Sequence, residues 1–458
     1  MSPEKSPIVG GATKSPQWIT VSTPFSRKHE TARSVASTLS WVSEMTPIRI
    51  PLGSVESSER LPDQTHITAT RSVFSARGED RVMETIVVGG GIVGSSVAYH
   101  LASGGVETTL IDRRDAGRAT DAGAGIVSPP TSSRVGPWFD LAVEAFDAYF
   151  DLVSALEREQ DGPVGVDRCG LLRVAIDEDE VRRFDELSAL LDRREDGTGH
   201  PRSAALESLP SDGARDRFPP LADTRRALFY ADAARVDGRL FEGALRRAGK
   251  AHGLSVVEGS VECLLVQRGR VVGVETAEDR YEADRTVVAG GAWSPEFGGQ
   301  LGFEVPVEPQ RGQIVHVDSG REDVGSWPIV SPFRGHYVVP WPDGRVAFGA
   351  TRERGSGFDS RTTARGVHEV LSEGLRVAPG LGDASLHEVR VGLRPTTPDG
   401  LPLLGAVPTV EGAYLATGHG PTGLQLGPYS GALVADLLAE GGETLGRPSV
   451  DPDRFDSQ

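Results

Sequence analysis

Three glycines and an acid are spaced so that they could bind a dinucleotide. Gly89, Gly91 and Gly94 follow a strand-like apolar run and open a helical run. In this order the first glycine permits a tight turn, the second lets the backbone approach a pyrophosphate, and the third lets the helix pack on its strand. Asp112 ends the next apolar run, where a carboxylate can accept hydrogen bonds from ribose hydroxyls. The pattern predicts a dinucleotide site at the helix N-terminus, whose unpaired N–H groups face the phosphates.

The glycine motif gains weight from its surroundings. The chain contains 56 glycines, so one glycine-rich motif could arise by chance. Here the first strand, the helix, the second strand and the acid occur in register. That order favours the dinucleotide interpretation over a purely structural glycine turn.

Composition argues against several classes of protein. Since no apolar run reaches about 18 residues, the sequence predicts no transmembrane helix, and the first residues lack the pattern of a secretory signal. Cys169 and Cys263 lie in strand-like apolar surroundings, apart from each other and from any histidine cluster. The sequence therefore predicts no metal site, and two buried free thiols in a reducing cytoplasm.

The net charge of −17 is unevenly distributed along the chain. Residues 1–82 carry 10 Lys and Arg against 8 Asp and Glu, whereas the remainder carries 38 against 57 and has one lysine, Lys250. An acidic surface disfavours nucleic acid or anionic membranes as partners. The scarcity of lysine is compatible with a protein kept soluble in high salt, so a halophilic source is a hypothesis from this pattern.

The segment before the glycine motif differs in composition from the rest of the chain. Ser and Thr supply 23 of residues 1–82, and no long amphipathic period occurs there. This composition predicts a disordered extension. Because Met83 immediately precedes the first strand, we favour translation beginning at that methionine over a functional targeting tail. At the other end, residues 446–458 are predicted to form a polar tail.

The order of helical and strand-like patterns predicts an α/β fold with two domains. A nucleotide-binding half lies at the front, short strands fill the middle, and a glycine-rich turn with a helix lies near the end. We therefore expect a discontinuous Rossmann-like nucleotide-binding domain with a sheet-rich α+β second domain inserted into it. The predicted segments are 83–165, 226–300 and 386–445 for the first domain, and 166–225 and 301–385 for the second.

Five further segments occur along the chain in the order that is typical of a known protein family. The segments are TVVAGGAWS (286–294), PVEPQRGQ (306–313), HYVVPWPDGRVAFGAT (336–351), VGLRPTTPDGLPLLG (391–405) and TGHGPTGLQLG (417–427). Together with the front motif they resemble the FAD-dependent oxidoreductases of the D-amino acid oxidase superfamily, most closely its glycine oxidase and D-amino acid dehydrogenase branch. The resemblance covers essentially all of residues 83–440 and none of 1–82.

The resemblance implies which residues hold FAD. The glycines of the front motif would bind the pyrophosphate, Asp112 the adenosine ribose, and the backbone of Val261 would face adenine. The turn of the last motif would present backbone N–H groups to the flavin pyrimidine, and the helix after it points its positive end the same way. The further positions are Thr120 and Gly125 in a loop running toward the flavin, Gly290 in the Gly-Gly turn, and Gly418, Gly420, Thr422, Gly423 and Leu424 in the last turn.

On the substrate side the resemblance implies that Arg394 clamps an amino acid carboxylate and that Tyr337 adds a hydroxyl to it. A guanidinium fork suits a carboxylate because it donates two hydrogen bonds at once. The alternatives to substrate binding are a structural salt bridge for Arg394 and the role of an ordinary half-buried strand residue for Tyr337. His419 is expected to pack or hydrogen-bond rather than act as a base. Arg311 could approach the active site or serve only the strand end.

Three departures from related branches bear on the substrate and on the cofactor. Pro421 stands where glycine oxidases have a second arginine. The sarcosine oxidase branch attaches FAD through a cysteine near the position of Arg394 and activates oxygen with a lysine, whereas here no cysteine is nearby and Lys250 falls on an outer helix. The sequence thus predicts non-covalent FAD, and it leaves oxygen or a quinone open as electron acceptor.

The function that the resemblance implies is oxidation of the C–N bond of a small amino acid or secondary amine, with hydride transfer to flavin N5. Such chemistry needs positioning and desolvation more than a protein acid or base. Two alternatives stay open: an FAD-dependent 2-hydroxy acid dehydrogenase, and a non-catalytic flavin subunit of a heteromeric dehydrogenase. The sequence predicts a small-molecule substrate and a cytoplasmic location, and leaves the oligomeric state open.

Overall fold

The computed structural model describes residues 83–201 and 203–455. The predictions made for residues 1–82 and 456–458 lie outside these ranges. Within them we number twenty strands and nine α-helices in chain order. Every helix in these ranges is too short or too polar to cross a lipid bilayer.

A mostly parallel six-stranded sheet contains the front motif. Its strands lie in the order β19-β20-β13-β1-β2-β9, and only β19 and β20 pair antiparallel. Alternate side chains of the central strand enter two apolar clusters, Val87 one of them and Ile86 and Val88 the other. Apolar cover on both faces explains the unbroken apolar run of this strand. The strands are β1 (Glu84–Val88), β2 (Glu107–Asp112), β9 (Ser255–Glu258), β13 (Arg285–Val288), β19 (Leu403–Ala406) and β20 (Ala413–Thr417).

Helices pack beside this sheet and on the second one. They are α1 (Ile92–Ser103), α2 (Ala119–Ala122), α3 (Pro137–Glu159), α4 (Glu178–Thr198), α5 (Ser211–Arg217), α6 (Gly238–Ala251), α7 (Gly298–Leu301), α8 (Ala364–Val377) and α9 (Gly423–Ala439). Helix α9 contains Pro428, which has no N–H to donate to the carbonyl of Leu424. The buried Tyr149 hydroxyl donates to that carbonyl instead, at 3.0 Å. Ser96 of α1 donates to the Pro428 carbonyl at 2.7 Å, so the N-terminal halves of α1 and α9 are held together.

A second sheet has eight strands in the order β18-β14-β17-β16-β15-β5-β7-β6. Its pairs are antiparallel except β15 with β5. Two smaller sheets accompany it, β10-β11-β12 and β3-β8-β4. The large sheet contains β5 (Leu171–Ala175), β6 (Leu206–Leu209), β7 (Arg226–Tyr230), β14 (Glu308–Asp318), β15 (Ile329–Ser331), β16 (Tyr337–Pro340), β17 (Arg345–Gly349) and β18 (Ser385–Thr396). The small ones contain β3 (Ile126–Val127), β4 (Val166–Arg168), β8 (Ala234–Val236), β10 (Val261–Gln267), β11 (Arg270–Thr276) and β12 (Arg280–Glu282).

Two strands lie in a different sheet from the one that the sequence boundaries implied. The predicted nucleotide-domain segments began at 226 and 386, yet β7 pairs with β5 and β18 pairs with β14 along its whole length. Short apolar strands carry no local signal that tells which sheet they join, because pairing depends on distant partners. The division into two domains stays a prediction, with these strands now placed beside the inserted segments.

The segment predicted as a polar tail contacts the six-stranded sheet in its described part. The Leu404 backbone N–H donates to the carbonyl of Val450, and Val450 itself is buried. Arg454 forms an ion pair with Asp399 at 2.8 Å. Arg447 forms a second ion pair, with Glu144 at 2.7 Å, so residues 446–455 are anchored by buried side chains and two ion pairs.

The buried His316 of β14 makes stability depend on pH. Burial, with a smaller contribution from the charge of Arg390, lowers the pKa of its imidazole from 6.5 to about 3. The unfolded chain takes up a proton near the ordinary pKa while the folded chain does not, so the free energy of unfolding falls as the pH drops from about 6.5 toward 3. We expect His316→Gln to show a smaller decrease in Tm between pH 7 and pH 5 than the parent protein. Parallel curves of Tm against pH would contradict this assignment.

Candidate active site

A cavity lies beyond the carboxyl ends of the parallel strands β1, β2 and β13, where ligands bind in open α/β sheets. It extends from Asp112 and Val261 at one end to Tyr337 and Arg394 at the other. Thirteen of the fifteen residues predicted for the site line it: Gly89, Gly91, Asp112, Thr120, Gly125, Val261, Gly290, Tyr337, Arg394, Gly420, Thr422, Gly423 and Leu424. The other two, Gly94 and Gly418, are not among the residues that line the cavity.

The front glycines have the close contacts that their spacing predicted. Gly89 has φ +96°, and a Cβ there would lie 2.7 Å from the carbonyl oxygen of Ala289. A Cβ on Gly94 would overlap the carbonyl oxygen of Gly89. Gly94 therefore acts from behind the cavity, by letting α1 pack directly on the turn that follows β1.

Two helix N-termini border the cavity. Gly91 precedes α1 and Thr422 precedes α9, and neither supplies a capping side chain. The Thr120 hydroxyl accepts from the Ile92 N–H at 3.0 Å, which satisfies one N–H of α1. The positive ends of both helices thus point into the same space, which suits a ligand that carries phosphates at one end and accepts negative charge at the other.

Asp112 belongs to a cluster of four buried or nearly buried charges. Arg246 Nη2 lies 2.6 Å from Asp112 Oδ2 and 2.9 Å from Glu242 Oε1. Arg118 Nη2 lies 2.8 Å from Glu242 and 3.5 Å from Asp112. Both arginines also donate to the carbonyl of Gly90, at 2.8 and 2.5 Å. The cluster fixes the glycine turn and holds Asp112 Oδ2, while Oδ1 has only a 3.5 Å contact to the Arg114 N–H.

The cluster also sets the charge of Asp112. Burial alone would raise the pKa of this carboxyl, but the charges of Arg118 and Arg246 and the hydrogen bond from Arg246 together lower it. For Glu242 burial dominates and raises the pKa, although the same two arginines oppose it. Asp112 therefore stays ionised at neutral pH, as an acceptor for ribose hydroxyls must.

Removing Glu242 should destabilise the protein and weaken cofactor binding together. Its side chain is 3% exposed and stands between Arg118 and Arg246. Glu242→Ala leaves Arg118 and Arg246 with Asp112 as their one buried acid, which we expect to cost about 3 kcal/mol in the free energy of unfolding. Asp121→Ala is the control, because Asp121 contacts the same Arg118 from a more exposed position. Equal losses in urea unfolding for the two variants would contradict the role of the cluster.

His419 lines the cavity at its far end with both ring nitrogens lacking a hydrogen-bond partner among the described residues. The side chain is 2% exposed, and burial lowers the pKa of its imidazole to about 4. Gln425 Nε2, in the first turn of α9, is likewise buried without a partner in the described part of the chain. Unsatisfied buried polar atoms are costly, so this wall is built for a polar ligand.

Arg394 and Tyr337 meet at the end of the cavity opposite Asp112. Arg394 Nη1 donates to the carbonyl of Thr351 at 2.9 Å and to Gln310 Oε1 at 3.4 Å. Its guanidinium lies over Gly312 and the Tyr337 ring lies over Gly349, since a Cβ on either glycine would overlap them. Within the described residues Arg394 has no carboxylate at ion-pair distance, so the alternative of a structural salt bridge finds no partner there.

Tyr337 keeps its proton in this buried site, and Arg394 keeps its charge. Burial raises the pKa of the Tyr337 hydroxyl, and the nearby charges of Arg394 and Arg352 offset this only in part. Burial also lowers the pKa of Arg394, but an arginine in a protein keeps its proton. The site thus presents one cation and one neutral hydroxyl donor side by side.

Arg311 behaves as a structural residue. It is 9% exposed and forms ion pairs with Glu353 at 2.7 Å and Asp359 at 2.9 Å. Glu353 also accepts from the Gln313 side chain and from the Thr351 hydroxyl. Arg311 does not line the cavity. Of the two roles left open by the sequence, the geometry supports bracing the segment that carries Thr351.

Sequence reasoning missed the residues that support the site from behind. Glu242 and Arg246 are four residues apart on α6, a spacing that is typical of an exposed helix pair, and nothing local signals their burial. Arg118 directly precedes the loop that begins near Thr120, and an arginine beside a small-residue loop was the one available signal. Trp293 and Gln425 also line the cavity and were not singled out.

Comparison with known proteins agrees with this geometry. Residues 84–437 match the family model described as FAD dependent oxidoreductase. The chain belongs to this family and is an FAD-dependent oxidoreductase, which confirms the predicted family, fold class and cofactor. The residues of the cavity fit FAD, because the glycine turn leaves room for a pyrophosphate, Asp112 is ionised beside it, and unsatisfied polar atoms line the opposite end.

Individual relatives refine the comparison. The chain is 41% identical over 355 residues to "Uncharacterized oxidoreductase YurR" of Bacillus subtilis (strain 168), which covers 77% of this chain and 94% of that protein. It is 31% identical over 376 residues to a glycine oxidase of Pseudomonas putida, covering 81% and 96%. Among solved structures, iminodiacetate oxidase (IdaA) from Chelativorans sp. BNC1 aligns with a TM-score of 0.75 and 36% identity, covering 80% of this chain and 98% of that one.

Proposed function

We propose that this protein oxidises the C–N bond of a small amino acid or secondary amine that carries a carboxylate. The observation that carries the proposal is Arg394, held beside Tyr337 at the end of the FAD cavity with no acid to neutralise it among the described residues. The names of the glycine oxidase relatives and of iminodiacetate oxidase support it, because both name a substrate with an amine beside a carboxylate.

Arg394 is positioned to hold a substrate carboxylate in a fixed orientation. Its Nη1 is fastened to the Thr351 carbonyl, so the planar guanidinium cannot rotate freely. The remaining N–H groups can donate two charge-assisted hydrogen bonds to one carboxylate. The Tyr337 hydroxyl, which burial keeps protonated, adds a third donor. A carboxylate held in this way fixes the adjacent Cα and amine relative to the cavity wall.

Among the described residues beside Arg394 we assign no proton acceptor. His419 is neutral at pH 7 because burial lowers the pKa of its imidazole to about 4, and its role in our proposal is to hydrogen-bond the cofactor. FAD held in this cavity would supply the acceptor for the hydride that leaves the substrate Cα. The protein therefore orients the substrate and excludes water, while a neutral amine is favoured by the low-dielectric wall around it.

An absorption experiment tests this proposal. The holoenzyme is mixed anaerobically with glycine, sarcosine and D-alanine, and separately with lactate and 2-hydroxyglutarate. We expect the bound-flavin band to bleach with at least one of the amines and with none of the hydroxy acids. Bleaching by hydroxy acids alone would replace this function by the 2-hydroxy acid dehydrogenase, and no bleaching by any compound would favour the non-catalytic flavin subunit.

We also propose that the FAD is bound non-covalently in a reducing cytoplasm. Cys169 and Cys263 are free thiols, and neither lines the cavity. Acid precipitation of the holoenzyme should release all of its flavin into the supernatant. The acidic, lysine-poor surface supports a halophilic source, for which retention of activity in molar salt is the matching test.

A further inference from the structure

A second arginine lies beside the proposed carboxylate clamp. Arg352 directly follows Thr351, the residue whose carbonyl orients Arg394. Its Nη1 donates to the Ala350 carbonyl at 3.4 Å and lies 3.2 Å from the position that a Cβ on Gly335 would occupy. The side chain is exposed, in contrast to the half-buried Arg394. Arg352 does not itself line the cavity, and its exposed guanidinium lies over Gly335, two residues before Tyr337.

In the described part of the chain, neither Arg352 nor Arg394 has a carboxylate nearby to balance its positive charge. The Arg352 guanidinium lies over Gly335, as the Tyr337 ring lies over Gly349 and the Arg394 guanidinium over Gly312. The charge of Arg352 opposes the rise in the pKa of Tyr337 that burial causes, and it adds to the lowering of the pKa of Arg394. Among the described residues no carboxylate lies within ion-pair distance of either arginine. Both guanidinium groups thus lack the acidic partner that Arg311 and Arg376 have. Like charges placed side by side repel each other, so an anion that spans both would relieve both.

We propose that Arg352 binds a second carboxylate of the substrate, so that the preferred substrate class is a small amine with two carboxylates. This inference rests on the proposed function. Arg394 takes the carboxylate next to the carbon that is oxidised, and the more exposed Arg352 takes the distal one. Arg352 thereby determines specificity, while the oxidation itself proceeds as for a monocarboxylate.

The binding of a second carboxylate can be tested with two compounds that differ by one carboxylate. Sarcosine and iminodiacetate are both secondary amines built on glycine, and only iminodiacetate carries the second acid group. The rate of anaerobic flavin reduction in the holoenzyme is measured against the concentration of each, which separates binding from the chemical step. We expect the parent enzyme to favour iminodiacetate in kcat/KM, chiefly through tighter binding.

Variants at Arg352 should reverse that preference. In Arg352→Gln we expect the ratio of kcat/KM for iminodiacetate to that for sarcosine to fall about five- to tenfold, which is the scale of a partly exposed ion pair. Arg352→Lys should recover part of the ratio because it restores the charge. Arg354→Gln is the matched control, since Arg354 is an exposed arginine two residues away without an ion pair among the described residues, and it should leave the ratio unchanged.

The outcomes separate this inference from the function beneath it. An unchanged ratio in Arg352→Gln, an equal loss for both compounds, or a parent enzyme that does not favour iminodiacetate would overturn the role of Arg352 while leaving amine oxidation intact. If no amine reduces the flavin in the parent holoenzyme, the proposed function itself fails, and this inference fails with it.

Discussion

Arg394→Ala is expected to lower kcat/KM for the amine substrate by about a thousandfold while the bound flavin keeps its absorption spectrum. The guanidinium donates the charge-assisted hydrogen bonds that we assign to the carboxylate, and losing two of them at about 2 kcal/mol each corresponds to roughly this factor. Arg394→Lys should recover only a small part, since a point charge cannot form the planar fork. Stopped-flow reduction of the holoenzyme measures both effects.

Arg390→Ala is the control for this substitution. Arg390 lies four residues earlier in β18 and has Glu388 as its partner at 2.6 Å, and it does not line the cavity. Its removal should change flavin reduction less than about twofold, because this ion pair lies outside the cavity. If the rate of flavin reduction were unchanged in Arg394→Ala, Arg394 would not be the residue that binds the substrate carboxylate.

Gly94→Ala has the second largest expected effect, on FAD binding. The new Cβ would overlap the Gly89 carbonyl oxygen, and backbone cannot move aside as the end of a flexible side chain can. Helix α1 must then shift from the turn after β1, which displaces its N-terminal N–H groups from the pyrophosphate position. We expect the Kd for FAD to rise at least about a hundredfold, measured by fluorescence titration of the apoprotein.

Gly299→Ala is the matched control for that glycine. It lies in the short helix α7, and a Cβ there would have no heavy atom within 4 Å. FAD affinity and Tm should both stay close to those of the parent protein. If Gly94→Ala bound FAD as tightly as Gly299→Ala, the close packing of α1 on the turn would not be what forms the phosphate site.

The sequence was most informative where local geometry dictates residue type. The front glycines could be located because only glycine tolerates the turn at Gly89 and the contact at Gly94, and Asp112 could be located because it ends the adjacent strand. The parallel pairing of β1 with β2 follows from the strand, helix and strand that succeed one another there. These features depend on neighbours in sequence, so one chain suffices to predict them.

Features that depend on distant partners were missed or misplaced. Strands β7 and β18 join the large sheet through partners far along the chain, which no local pattern encodes. Glu242 and Arg246 form an ordinary helical pair in sequence, and their burial arises because Arg118 and Asp112 approach from another element. Arg352 could be proposed as a binding residue only once the structure placed it near Arg394. Spatial coincidence of charges is thus what the structure adds.

One anaerobic single-turnover experiment tests the central claim most directly. The holoenzyme is reduced by the amine that bleaches it, and the products are measured against the flavin reduced. Our account predicts one equivalent of carbonyl acid and one of released amine or ammonia for each FAD, as required when an imine formed at the oxidised C–N bond is hydrolysed. Reduced flavin without released nitrogen, or a carbonyl product that arises only from hydroxy acids, would contradict it.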